Sequence, residues 1–363
     1  MAHLFLNIQF STRSALVGWI LIIPASCSKP STVAPFAENR VEATGLIDGE
    51  EYKLADDGNV YRVVEDGKGW SFHAKLYDPV EVANSYVVED QQVFRVSPDN
   101  RKRYLTSRNF SESFEDLGEG EVGLRNLVAE GRNRWGSFTL QSEATPTVED
   151  YVQLRQQILS NQSGFLDAVV APSQDKAHSG VSSLKCVADA KTDDMITSKS
   201  SLSTPLVYFK GGDDFWLEAS FYVEGARPLT LMDLECEFAE LHPGIRLMIF
   251  ESGHLGAELK ALDKPKFEQA AENAIEFPMD RWVLVKAHFG LSTKNGVVEI
   301  WQDGKKVVDA AGTTLPFRSA IYNSLEIGIS AHSFGSQAST LYVDDIQISD
   351  SVIGNSPEDL TTQ

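Results

Sequence analysis

The side chains best suited to chemistry stand at alternate positions of extended runs. In 215–224, Trp216, Glu218, Ser220 and Tyr222 oppose Phe215, Leu217, Ala219, Phe221 and Val223. In 233–239, Asp233, Glu235 and Glu237 oppose Leu234, Cys236 and Phe238. In 282–289, Trp282, Leu284, Lys286 and His288 oppose Val283, Val285, Ala287 and Phe289, and further on Glu299 and Trp301 oppose Val298 and Ile300. Glu326, Gly328, Ser330 and His332 oppose Leu325, Ile327, Ile329 and Ala331. Side chains alternate across a strand, so each run has an apolar side for a core and a second side carrying rings, carboxylates, His and Lys. Rings offer apolar faces to sugars, and carboxylates bond their hydroxyls. Trp216, Tyr222, Glu235, Glu237, Trp301 and His288 are therefore the expected carbohydrate-binding set. A plain solvated sheet face has the same alternation, but large aromatics on a wet face favour a binding surface.

These runs must be strands of one sheet-rich domain. From position 281 onward, period-two patterning recurs between Asn295-Gly296 and Asp303-Gly304, dipeptides that favour hairpin turns. Many short strands in one domain imply a sandwich or barrel. The pattern predicts a capped helix over 148–159 with Thr147 as its cap, and a second helix over 265–274 with Pro265 in its first turn. The chain divides into a leader at 1–27, a linker at 28–40, a small β-rich module at 41–106, the main domain at 107–350 and a tail at 351–363.

His178-Ser-Gly-Val-Ser-Ser-Leu-Lys185, Asp214-Phe-Trp-Leu-Glu-Ala-Ser-Phe-Tyr222, Arg281-Trp-Val-Leu-Val-Lys-Ala-His288, Gly296-Val-Val-Glu-Ile-Trp-Gln-Asp-Gly304 and Leu341-Tyr-Val-Asp-Asp-Ile346 follow an order that resembles the concanavalin-A-like jelly-roll of polysaccharide lyases and laminarinase-type hydrolases. The resemblance implies an all-β fold: a jelly-roll β-sandwich with the small N-terminal β-rich module and one or two short helices. It implies a polysaccharide partner, bound in a groove on one sheet. A lyase needs a base for the proton beside a uronate carboxylate and a group that neutralises that carboxylate. His288 or Tyr222 would be the base, and Arg246 or Lys286 the neutraliser. Glu235-Cys-Glu-Phe-Ala-Glu240 approaches the two-glutamate strand motif of laminarinase-type enzymes, with Glu237 where that pattern has Asp. Asp344 and Asp345 resemble the acidic pair of a structural calcium site in such sandwiches. No cofactor is expected for the chemistry. Binding without catalysis is the leading expectation, and lyase activity the alternative.

The formal net charge is −20, which argues against nucleic acid as a partner. Residues 15–24 form an apolar run behind Arg13, about ten residues long and too short to span a bilayer, which takes roughly 20. Ala25-Ser26-Cys27 follows, which resembles a bacterial lipoprotein signal with Cys27 as the lipidated residue; Pro24 stands where such signals usually carry Leu. An exported protein held to a membrane only by a lipid anchor is expected, with simple secretion or an uncleaved anchor as alternatives. Cys186 and Cys236 each share a side with core residues and are expected to be buried, as free thiols or as a disulfide.

Overall fold

The structure is a computed structural model. It describes residues 108–353 except 191–196, 228, 237–241, 261–264, 319 and 333–336, and, ahead of Arg108, strand backbones only. In the 41–106 segment, Val41–Ile47, Glu50–Ala55, Asn59–Val63 and Trp70–Lys75 run antiparallel in chain order. Tyr86–Glu89, Gln92–Val96 and Lys102–Tyr104 form another sheet. Part of the leader run falls in the strand Ala15–Leu21. Cys27 lies outside the described residues.

From Phe110 onward two antiparallel sheets pack face to face. The strands are β1 (Phe110–Glu112), β2 (Ser137–Gln141), β3 (Val169–Ser173), β4 (Ser183–Ala188), β5 (Ser198–Lys210), β6 (Asp214–Gly225), β7 (Leu229–Glu235), β8 (Gly244–Ile249), β9 (Leu255–Lys260), β10 (Lys266–Phe267), β11 (Trp282–Gly290), β12 (Gly296–Gln302), β13 (Lys305–Gly312), β14 (Ile321–His332) and β15 (Ser339–Ser349). The first sheet runs β3-β4-β15-β6-β11-β12-β13, with β1 on β15, and the second runs β2-β5-β14-β7-β8-β9-β10. This is the sandwich that the alternation allowed, consistent with the jelly-roll that the resemblance implied. Phe215, Leu217, Ala219, Phe221 and Val223 of β6, with Val283, Val285, Ala287 and Phe289 of β11, meet Leu325, Ile327 and Ile329 of β14 and Ile245, Leu247 and Ile249 of β8 in one fully buried core. Burial of this apolar surface is the main force joining the sheets. Cys186 and Cys236 lie in the same core as free thiols, and burial pushes the Cys186 thiol up to about 12.

The Asp303-Gly304 hairpin forms as expected. Both residues take positive φ, 50° and 78°, and Gln302 faces Lys305 across the turn. Asn295-Gly296 is not a turn of this kind. The connection is a loop at 291–295, where the Ser292 hydroxyl accepts from the amides of Lys294 and Asn295, and Gly296 is already a strand residue facing Gly312. Glycine is needed there because a Cβ would stand 2.0 Å from the buried Thr314 hydroxyl.

Helix α1 spans Gly120–Glu130 and α2 spans Val148–Leu159. Helix α2 starts with the expected Thr147 cap, closed reciprocally by Asp150 into a capping box. Arg155 ties it to the Ser137 hydroxyl and the Phe138 carbonyl of β2. No α-helix forms over 265–274. Lys266 and Phe267 pair with β9 instead, and only Ala271–Asn273 makes a short 3-10 turn, because Phe267 is drawn into the core as the edge of the sheet.

Candidate functional site

The outer face of the first sheet gathers most of the expected aromatics. Trp216 and His288, opposite each other on β6 and β11, stack with ring centroids 4.0 Å apart and planes 7° apart. Trp301 lies 6.1 Å from Trp216. The Lys286 ammonium stands 5.2 Å from the Trp216 ring centre and 5.8 Å from that of Trp301, and Lys306 stands 5.2 Å over Trp301. Lys286 also donates to the Ile353 carbonyl, drawing the end of the described chain across this patch. The aromatic faces are therefore occupied by one another and by cations, and Trp216 is only 7% exposed.

His288 is held on both sides. Nδ1 lies 2.8 Å from Glu299 Oε2 and Nε2 lies 2.7 Å from Asp214 Oδ1. Both ring nitrogens are engaged by carboxylates, an arrangement that ties β6, β11 and β12 together. Glu299 is pushed up by its burial, but Lys306 and His288 outweigh that and hold it below the usual range.

Tyr222 stands six residues from Trp216 on β6, roughly 20 Å along the strand. It packs edge-on against Trp282 and Tyr342 under the Lys176 ammonium.

Asp344 and Asp345 form a bulge in β15, where Ser220 of β6 faces Asp344 and Glu218 faces Gln347. Asp345 takes a positive φ of 50°. The buried Asp344 carboxylate accepts the amides of His178, Ser179 and Asp345, while Asp345 receives His178 Nδ1 and the Ser179 hydroxyl. Burial raises Asp344 above the usual carboxylate range despite those three amides. The pair anchors the 178–179 loop to the sheet.

Arg246 and Glu235 lie on the other sheet. Their side chains project from its outer face, because Leu234, Ile245 and Leu247 beside them face the core. The pairing places Glu326, Asp233, Arg246 and Glu258 in one row across β14, β7, β8 and β9, about 14 Å long at the usual strand spacing. In the next row Glu235 and Lys260 flank Gly244. Gly244 presents no side chain between them, and Lys260 reaches across to donate to Glu235. Arg246 Nε lies 3.7 Å from Asp233 Oδ1 and 3.8 Å from Glu258 Oε1, and His242 Nδ1 lies 3.7 Å from Glu235 Oε2. Ser201 donates to Glu326, and Ser330 to Asp233 at 2.9 Å. Glu237 lies outside the described residues.

This face is charged, yet it is shielded from water. Asp233, Glu235, Glu258 and Glu326 are each 4–8% exposed. The environment drives two of these carboxyls apart. Burial pushes Glu326 up to about 7, with Glu235 and Asp233 adding repulsion that Lys199 only partly offsets. Glu235 is likewise pushed up by burial, but Lys260 and His242 outweigh that and hold it at about 2. Oxygens of Asp233, Glu235 and Glu326 lie within 4.8 Å of one another. A buried protonated carboxyl beside an ionised one is the usual preparation for proton transfer or for donating to a ligand hydroxyl. Two polar atoms remain unsatisfied: Arg246 Nε and Asp233 Oδ1 face each other, buried, with no hydrogen bond to any group.

The structure thus divides the expected site between two faces. Trp216, Lys286, His288 and Trp301 come together on the first sheet, with Tyr222 farther along it. Glu235 and Arg246 come together on the second. A lyase centre built from His288 or Tyr222 with Arg246 would have to reach through the core between the sheets. Sequence reasoning placed Asp233 and Glu326 on the outward side of their strands but did not select them. Glu258 and Lys260 carry the same signal in 255–260, where Leu255, Ala257 and Leu259 alternate with Gly256, Glu258 and Lys260.

No family model matches the sequence, and no curated protein matches it. Several solved structures are similar to part of this chain. The cellulose-induced protein Cip1 is 16% identical, with 53% of this chain and 89% of that one covered, at a TM-score of 0.39. An endo-β-1,4-glucuronan lyase from the fungus Trichoderma reesei is 9% identical, with 60% and 96% covered, at 0.42. The alginate lyase Aly36B is 8% identical, with 69% and 100% covered, at 0.44.

Proposed function

We propose that this chain is an exported polysaccharide-binding protein whose ligand lies on the outer face of the second sheet, with Cys27 as the lipidated tether. The observation that carries the reading is the unfilled pair Arg246 Nε and Asp233 Oδ1 within a buried row of charges. Burying ions is costly, and such networks are weak sources of stability. Titratable groups with strongly displaced proton affinities cluster at functional sites. A donor and an acceptor 3.7 Å apart are too distant to bond each other. A hydroxyl, which accepts and donates at once, satisfies both. Glu326, Glu235 and Ser330 supply further polar groups in the same rows. The first sheet's aromatic patch serves to lock β6, β11 and β12 together.

Affinity electrophoresis of the full chain through gels containing single polysaccharides tests the reading. At least one glycan is expected to retard the protein. Glu235→Gln and Glu258→Gln should weaken that retardation, and Trp301→Ala should leave it intact. Retardation abolished by Trp301→Ala and untouched by both second-sheet variants would refute the placement.

A further inference from the structure

Resting on that reading, we propose that the second-sheet row is gated by a proton: its presence on the Asp233–Glu235–Glu326 trio keeps the Lys260 ammonium on Glu235, and its loss draws Lys260 toward Asp233 and Glu326, freeing Glu235 for a ligand hydroxyl. The convergence of three carboxylates on one movable cation carries this. Asp233 and Glu235 stand two residues apart on β7 and share its outer side, and Glu326 stands opposite Asp233 on β14. Oxygens of the three lie within 4.8 Å of one another. Lys260 is bonded to Glu235 and lies 4.0 Å from Asp233 Oδ2, so one ammonium is within reach of two members of the trio. Its stem crosses Gly244, where no side chain blocks a swing; a Cβ there would stand 2.2 Å from the Leu234 carbonyl oxygen.

Three ionised carboxylates this close repel strongly when shielded from water. One proton relieves that repulsion, and Glu326 is the member that holds it, pushed up to about 7 by burial and by Glu235 and Asp233. Glu235 does not compete for it: burial pushes it up, but Lys260 and His242 outweigh that and hold it at about 2. Burial disfavours the charged form of Lys260, but Asp233 and Glu235 outweigh that and keep it an ammonium. Tyr322 and Cys236, in the core beneath, are raised by burial and stay neutral. The remaining charges sit elsewhere. Arg246 is held between Asp233 and Glu258, at 3.7 Å and 3.8 Å, Lys266 lies beyond Glu258 at the far end of the row, and Lys199 on β5 already offsets Glu326 in part. His242 lies 3.7 Å from Glu235 on the exposed side of the cluster. When Glu326 ionises, the new charge arises beside Asp233, and Lys260 is the cation that Asp233 shares with Glu235. The charge change is thus local, and the element it biases is one lysine side chain with two resting places. A ligand that needs Glu235 free binds more tightly above pH 7 than below it, and by reciprocity its binding releases a proton.

The test runs the full chain through gels containing β-glucan, xylan, mannan or alginate at pH 6 and pH 8, each mobility taken against a glycan-free gel at the same pH. Retardation should be roughly tenfold stronger at pH 8, within the usual size of a coupling between two sites. Glu326→Gln keeps the shape of the protonated acid and does not ionise, so its retardation should be weak and alike at both values. With no glycan present, the ammonium nitrogen resonance of Lys260 in a lysine-labelled sample, identified by its loss in Lys260→Arg, should move with a midpoint near 7 in the wild type and stay fixed in Glu326→Gln. Equal retardation at the two pH values, stronger retardation at pH 6, a pH dependence that survives in folded Glu326→Gln, or a wild-type Lys260 resonance that stays fixed overturns the gate. The wild-type gels and the wild-type resonance decide the matter if Glu326→Gln does not fold. Retention by no gel at either pH overturns the proposed function, and the Lys260 resonance then still tests the gate.

Discussion

Glu326→Gln is the sharpest probe of the second-sheet cluster. Glu326 is buried beside Asp233 and Glu235 and titrates at about 7 in the fold, against an ordinary glutamate value of 4.5. Below pH 4.5 the folded and unfolded chains both hold its proton. Between 4.5 and 7 the fold retains a proton that the unfolded chain has released, so stability falls as pH rises. Above 7 both have released it and the deficit is constant. The difference amounts to about 3 kcal/mol, or a melting shift of roughly 6–12 °C for a domain of this size. Glutamine is nearly isosteric with the protonated acid and does not titrate, so the variant should lack this loss. The assay is the melting temperature of both proteins from pH 4 to pH 8. Groups away from the cluster titrate alike in the two, so the variant-minus-wild-type difference reports Glu326 together with its contacts to Asp233 and Glu235. The variant should gain steadily on the wild type between pH 4.5 and 7 and hold its lead above. A difference that does not change with pH would refute the account of a shielded, repelled carboxyl.

Three further outcomes follow from the same geometry. His288→Ala removes the Trp216 stack and leaves Asp214 and Glu299 without their shared partner, so melting should fall by an amount on the order of 1–3 kcal/mol while retardation in glycan gels stays unchanged; lost retardation in a folded variant would return the first-sheet patch to the binding surface. Gly296→Ala drives a Cβ to 2.0 Å from Thr314 Oγ1 and 2.6 Å from the Gly290 carbonyl, and should lower stability by roughly 1–3 kcal/mol, read from urea midpoints; a midpoint equal to wild type contradicts the close approach of these strands. Cys27→Ser in a bacterial host should abolish incorporation of labelled palmitate and release the protein from the membrane fraction; labelling that persists rules out Cys27 as the tether.

Much of the fold was legible because alternation is a one-dimensional signal. The β6 and β11 runs place every second residue in the core, as their patterns implied, and β14 does so as far as Ile329; beyond it the order reverses, with His332 fully buried and Ala331 only half-buried, where the strand's register with its neighbours shifts. Thr147 announced α2 in the same local way. Helix α1 was not legible: Gly120 and Gly123 weaken its pattern, and Gly123 is required by the fold, since a Cβ there would stand 2.4 Å from the Gly118 carbonyl oxygen. The 265–274 segment misled for the opposite reason, since its local helix propensity yields to the pairing of Lys266 and Phe267 with β9.

The site was half legible. Alternation identified which side chains leave the core but not which sheet each strand joins. Sheet membership depends on the pairing of β6 with β11 and of β7 with β8 and β14, contacts set by strands distant in sequence. Glu326 gains its importance only from standing opposite Asp233, and Lys260 only from reaching Glu235 across Gly244.

The most direct measurement is a crystal structure of the full chain with a bound oligosaccharide. A sugar hydroxyl within hydrogen-bond distance of both Arg246 Nε and Asp233 Oδ1, over the Glu326–Glu258 row, is the predicted result. An oligosaccharide lying against Trp301 or Tyr222 on the first sheet, with the second-sheet row untouched, would contradict it.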